Sequence, residues 1–163
     1  MNDGRIDQPP QVRKEAMLYA EDLAEGQQFQ LGEYTISEAE ILQFARQYDP
    51  VPLHTDPEAA AAGPFGGLIA SGFNTIAIYQ RLIVEAVWSK VAAIVGRSIE
   101  IRLPAPVRPG TKLTGRSEVQ KITLRPERRD AVAIFRTELT DGEGKVVLIL
   151  VLDVLIRLRP GKA

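Results

Sequence analysis

The chain has no cysteine. Disulfides, thiolate nucleophiles and cysteine-based metal sites are therefore excluded. It has one histidine in 163 residues, which also rules out a multi-histidine metal site built from one chain. No metal site is expected. Net charge is almost absent, at −1, so nothing draws the protein generally to nucleic acid or to an anionic membrane. Long apolar runs are missing too. The longest, Val146 to Leu152, is too short to cross a bilayer. The opening segment from Met1 to Pro10 lacks the apolar core of a secretion signal. The expectation is a soluble cytoplasmic protein with no nucleic-acid or membrane partner.

What remains is an ordinary globular composition, 45% hydrophobic and 25% charged. The length fits one domain with a sizeable core. Residues 1–17 are polar, contain proline and show no periodicity, and read as a tail or arm. Residues 18–160 read as the domain.

The pattern of that domain begins with a strand candidate from Phe29 to Ile36. Ser37-Glu38-Ala39-Glu40 then forms a capping box. Ile41, Phe44, Ala45 and Tyr48 follow at helical spacing. Pro50 disfavours a helical Asp49, so this helix should stop there. Thr55 or Asp56 can cap a second short helix, with Pro57 in its first turn and Glu58 near its positive end, and Gly63-Pro64 ends it. His54 is thus expected just before a helix start.

From Ser71 to Val95 the pattern is strongly helical, with Phe73, Ile76, Ile83, Val87, Val91 and Ile94 in one stripe and Gly96 as the stop. The period then changes. Strands are expected over Ser98–Leu103, Lys112–Leu124, Ala131–Leu139 and Val146–Leu158, with a hairpin at Asp141-Gly142-Glu143-Gly144. The order points to an α+β domain: an antiparallel sheet of five strands, or slightly more, wrapped around a long central helix. Such a sheet has open edges, so pairing with a second copy is expected.

Asp49 and His54 are candidates for chemistry. A carboxylate and an imidazole sharing one water form a general acid/base pair. In an extended chain they would lie about 16 Å apart, so the proline-stiffened segment must curl to bring them together. The alternative is that Asp49 only finishes a helix and His54 is a satisfied buried histidine. Ser71-Gly72-Phe73 opens the long helix, where backbone N–H groups are unpaired and can receive a carbonyl oxygen. The alternative there is that Gly66, Gly67 and Gly72 only permit close packing. Asn74, Thr75 and Gln80 are polar on a mostly buried helix and line either a pocket or its one wet stripe. Arg125, Arg128 and Arg129 form a basic loop that either meets phosphates or is solvated loop charge, since Glu127 and Asp130 interrupt it. Arg108 lies in a rigid turn, Pro106 to Gly110, and is open to the same two readings. Asp56 reads as a cap.

The segment Asp49-Pro50-Val51-Pro52-Leu53-His54-Thr55-Asp56-Pro57 resembles the hydratase signature of the MaoC-like acyl dehydratases, the R-specific enoyl-CoA hydratases. Gly66-Gly67-Leu68-Ile69-Ala70-Ser71-Gly72 resembles that family's approach to its central helix. Pro106-Val107-Arg108-Pro109-Gly110 resembles its turn between strands. The resemblance covers roughly residues 18 to 160 and implies a hot-dog fold, usually dimeric. It implies that Asp49 and His54 hold the catalytic water and that the Gly72 N–H forms an oxyanion hole. It further implies substrate contacts from Val51, Ala70, Ser71, Phe73 and Asn74.

The substrate would be an enoyl-CoA or 3-hydroxyacyl-CoA, with coenzyme A present only as part of it and no other cofactor. The assembly would be a homodimer or a dimer of dimers. The chain departs from the family pattern at Gln47-Tyr48, where Ser-Gly is common, at Val51, where Asn is common, and at Ser71, where some members have His. The same fold also hosts thioesterases and non-catalytic acyl-thioester binders, and these stand as alternatives.

Overall fold

The computed structural model describes residues 16–161. Of the tail expected over residues 1–17, all but the last two positions lie outside the described residues. The chain is then β1 (Gln28–Thr35), α1 (Glu38–Tyr48), α2 (Pro52–Thr55), α3 (Pro57–Ala62), α4 (Gly72–Ile83), a π-helical turn (Val84–Trp88), β2 (Ala93–Arg102), β3 (Lys112–Arg125), β4 (Asp130–Thr140) and β5 (Val146–Arg157). Among the described residues no helix is long and apolar enough to cross a membrane.

The strands make one five-stranded sheet in the order β1-β3-β4-β5-β2, antiparallel throughout. Strict alternation in β4 decides which face is inner. Ala131, Ala133, Phe135, Thr137 and Leu139 are buried while the residues between them are partly exposed. Leu150, Leu152, Val154 and Ile156 of β5 share that face. Helix α4 and the π turn lie across it. Trp88 meets the Phe135 ring edge-on, 5.1 Å between centroids, a favoured geometry for aromatic pairs.

In β1 the apolar positions switch parity, from Phe29 and Leu31 to Tyr34 and Ile36. A strand points alternate side chains to opposite faces, so such a switch needs an extra residue. The register shifts between Leu31 and Tyr34, and Leu31 and Ile36 are both buried. The capping box forms as expected: Ser37 Oγ accepts from the Glu40 N–H, and the Glu40 carboxylate accepts from the Ser37 N–H. A cap of this kind contributes about 1 kcal/mol.

The long helix is shorter than its pattern predicts. It ends at Trp88, and Val91 to Gly96 are not its last turns. The π turn widens the ladder, Ser89 Oγ donates back to the Glu85 carbonyl at 2.9 Å, and Ala93 begins β2. Val91, Ile94 and Val95 fit helical spacing, but β-branched residues favour a strand when one is available to pair. Gly96 lies inside β2 opposite Val154 rather than after a helix. Phe73, expected on the buried stripe, is 67% exposed. The buried face of α4 is set by Asn74, Thr75, Ile78, Tyr79, Leu82 and Ile83.

Strand β2 is an edge, and every residue in it is exposed. Ile99 and Ile101 pair with Leu152 and Leu150 and so share the inner face. They are nonetheless 59% and 37% exposed, because the helix does not reach over them.

Candidate active site

Two short chain segments meet at one end of α4. The first is the exit from α1. Asp49 leaves the helical region at φ −152°, ψ 67°, while its N–H still donates to the Ala45 carbonyl at 2.8 Å. Pro50 allows no further helix. The Val51 N–H then donates to the Asp49 carbonyl at 2.8 Å, which turns the chain sharply. Pro52 opens α2, where its fixed φ suits a first helical position. His54 therefore lies within this single turn, which the sequence did not foresee, and just before the start of α3, as expected. Its N–H donates to the Val51 carbonyl at 2.8 Å. Asp56 caps α3 through the Glu58 and Ala59 N–H groups, as expected.

The second segment runs from Phe65 to Gly72. The Ala70 N–H donates to the Val107 carbonyl at 2.8 Å, which pins the segment beside the turn before β3. Ser71 is fully buried and caps α4, its Oγ accepting from the Phe73 N–H at 3.2 Å.

Two bonds tie the segments together. Ser71 Oγ donates to Asp49 Oδ2 at 2.6 Å. His54 Nδ1 lies 2.9 Å from the Ile69 carbonyl oxygen. A carbonyl only accepts, so Nδ1 carries the hydrogen and, in the neutral ring, Nε2 presents a lone pair. Nε2 stands 3.7 Å from Asp49 Oδ2. That exceeds a direct hydrogen bond and suits a small molecule bonded to both. The curl the sequence required is present: the two side chains converge.

An open cleft of about 380 Å³ adjoins them, lined by His54, Phe65, Ala70, Gly72, Thr75, Leu103 and the 104–107 segment. Its walls are mostly apolar. The Gly72 N–H is at the first position of α4, where the helix offers it no acceptor. A Cβ at Gly72 would sit 2.5 Å from Leu103 Cδ1. Glycine here keeps the leucine wall close and the backbone accessible.

Asp49, His54, Ala70, Ser71 and Gly72 are thus brought together. Val51, 48% exposed, turns away from the cleft and serves through its backbone. Phe73 also lies outside it. Asn74 is buried, and its Oδ1 has no partner among the described residues. Sequence reasoning missed two things. One is the cleft wall from Leu103 to Val107, whose prolines read only as a bend. The other is that Ser71 holds Asp49. Its capping position was the one available signal. Among the described residues no three His, Asp or Glu side chains cluster so as to hold a metal ion.

The family model described as the MaoC-like domain matches residues 21–139. The chain belongs to the MaoC-like dehydratase family. The MaoC-like dehydratase of Rhodospirillum rubrum superposes with a TM-score of 0.82 at 34% identity, covering 88% of this chain and 99% of that one. That neighbour carries the hot-dog fold described above. The 3-hydroxyacyl-thioester dehydratase Z of Mycobacterium tuberculosis is 41% identical over 91 residues, 52% of this chain and 58% of that protein. The uncharacterized protein YdeM of Bacillus subtilis is 42% identical over 60 residues, 37% of this chain and 43% of that protein. The matched stretch thus spans about half the length of these curated relatives.

Proposed function

We propose that this MaoC-like chain is a hydratase/dehydratase that adds water to a trans-2-enoyl thioester of coenzyme A, or removes it from a 3-hydroxyacyl thioester. The observation that carries this is the 3.7 Å gap between Asp49 Oδ2 and His54 Nε2 at the mouth of an apolar cleft. A water seated between them loses a proton to the pair as its oxygen bonds to C3. The C2=C3 electrons move toward the thioester carbonyl, whose oxygen is received by the Gly72 N–H. The pair returns a proton to C2. Water alone balances the reaction, so coenzyme A enters only as part of the substrate. The buried Ser71 hydroxyl, held within the fold, orients Asp49 from behind.

The enzyme works as a soluble cytoplasmic homodimer in this account. Support for the dimer comes from edge strand β2, exposed along its length and carrying Ile99 and Ile101 at 59% and 37% exposure. A second copy that extends the sheet there would cover both. Light scattering should give twice the chain mass.

The test is a panel of enoyl-CoA substrates followed by loss of the conjugated enoyl absorbance, with thiol release followed in parallel. Absorbance loss without thiol release supports hydration. Thiol release at the same rate would make the protein a thioesterase. Acyl-CoA binding with neither signal would make it a non-catalytic binder.

A further inference from the structure

We infer that Arg108 is an anion-recognition residue at the rim of this cleft, reading an oxyanion on the substrate: a phosphate of its carrier or a carboxylate at the far end of its acyl group. This rests on the thioester reading above. The cleft is lined by His54 and by residues of two stretches, 65–75 and 103–107, neither of which contains an ionisable residue, and Arg108 follows directly on the second. Its neighbours Pro106 and Val107 line the cleft, and so does Phe65, whose carbonyl accepts from Arg108 Nη2 at 2.7 Å. Arg108 is exposed, and this bond holds its guanidinium at the edge of the cleft.

The base of the side chain is also held. The Arg108 N–H donates to Thr111 Oγ1 at 3.2 Å, and Gly110, at φ 80°, closes the turn. Nη1 lies 3.3 Å from where a Cβ on Gly67 would stand, so glycine lets the guanidinium lie against the backbone.

What the residue lacks is a carboxylate. Arg97 and Arg125 pair with Asp153 and Asp130 at 2.6 Å. Arg108 has no acidic partner among the described residues. The Phe65 carbonyl uses one of the five guanidinium N–H donors, and the fork suits a planar carboxylate or a phosphate. Orientation by a backbone carbonyl leaves the positive charge undiminished. A latch for the Phe65 loop alone would need a donor but not a charge, and this separates the two roles.

The experiment compares wild type with Arg108→Gln and Arg108→Lys on three thioesters. These are crotonyl-CoA, the crotonyl thioester of N-acetylcysteamine, which has no anion, and the glutaconyl thioester of N-acetylcysteamine, whose only anion is the acyl carboxylate. For Arg108→Gln, KM should rise about tenfold or more on the anion-bearing substrate that Arg108 reads, with kcat nearly unchanged. KM on the neutral thioester should stay within about twofold, and Arg108→Lys should recover part of the loss. A rise on crotonyl-CoA assigns the phosphate. A rise on the glutaconyl thioester alone assigns the carboxylate. Equal rises on all three, or none, overturn the inference.

Should wild type turn over none of them, the hydration reading fails separately. Calorimetric titration with coenzyme A and glutaryl-CoA then judges Arg108. Binding of at least one weakened about tenfold in Arg108→Gln upholds the inference, and neither weakened overturns it.

Discussion

The sheet and the segment from Asp49 to Gly72 are held in opposite ways. The sheet is long strands packed by redundant apolar contact, with Phe135 fully buried between Trp88 and Phe29. No single pair positions it. The Asp49–Gly72 segment contains α2, of four residues, and α3, of six, far too short to be stable alone. Single directed bonds fix it: Ser71 to Asp49, His54 to Ile69, Ala70 to Val107. A scaffold of the first kind tolerates change in its surface. A site of the second kind can be aimed, because each group has one defined partner. Stability and activity should therefore respond to different substitutions.

The sharpest contrast is between His54→Ala and Phe135→Ala. His54→Ala should lower kcat by about a hundredfold to ten-thousandfold, with the thermal midpoint within a few degrees of wild type. Phe135→Ala should cost about 3–5 kcal/mol of stability, read by denaturant unfolding, with kcat per folded molecule nearly retained. A reversal of either pattern would break the division between the two regions.

Ser71 belongs to both regions, since one hydroxyl caps α4 and holds Asp49. Ser71→Ala should cost about 1 kcal/mol for the lost cap and lower kcat as well. Loss of stability with kcat per folded molecule unchanged would mean that holding Asp49 is unimportant.

The smallest effect is at the capping box, far from the chemistry. Ser37 Oγ donates to the Glu40 carboxylate at 2.7 Å, with further bonds from the Tyr34 hydroxyl and the Ser37 N–H. The Ser37 hydroxyl first, then Tyr34, lowers the Glu40 pKa from 4.5 to about 2. A lowered folded-state pKa gives stability that is present above 4.5 and lost as pH falls toward 2. Glu40→Gln should flatten part of the decline in thermal midpoint across that window and leave activity at neutral pH unchanged. An identical acid profile for both proteins would remove Glu40 from the account.

Local features were legible before the fold was known. Ser37 and Glu40 lie three residues apart, and Pro50 follows Asp49. Each is decided by neighbours in sequence, and each stands in the structure. The end of α4 was not legible, because Val91 and Ile94 continue its helical spacing, and only the pairing of Ala93 onward with β5 shows that a strand has begun. The convergence of Asp49 and His54 could be required but not shown. It depends on the Val51 N–H turning back to the Asp49 carbonyl. The Ser71–Asp49 bond crosses 22 positions and the Arg108–Phe65 bond 43. Contacts of that separation leave no local pattern to read.

The central claim is that Asp49 and His54 act on one water. A double-mutant cycle on kcat with Asp49→Asn, His54→Ala and the double variant tests it most directly. Groups that act as a unit are strongly non-additive. The double variant should then be about as slow as the slower single variant, with all three proteins folded. Losses that multiply would show two independent roles, and a single variant at wild-type rate would remove that residue from the reaction.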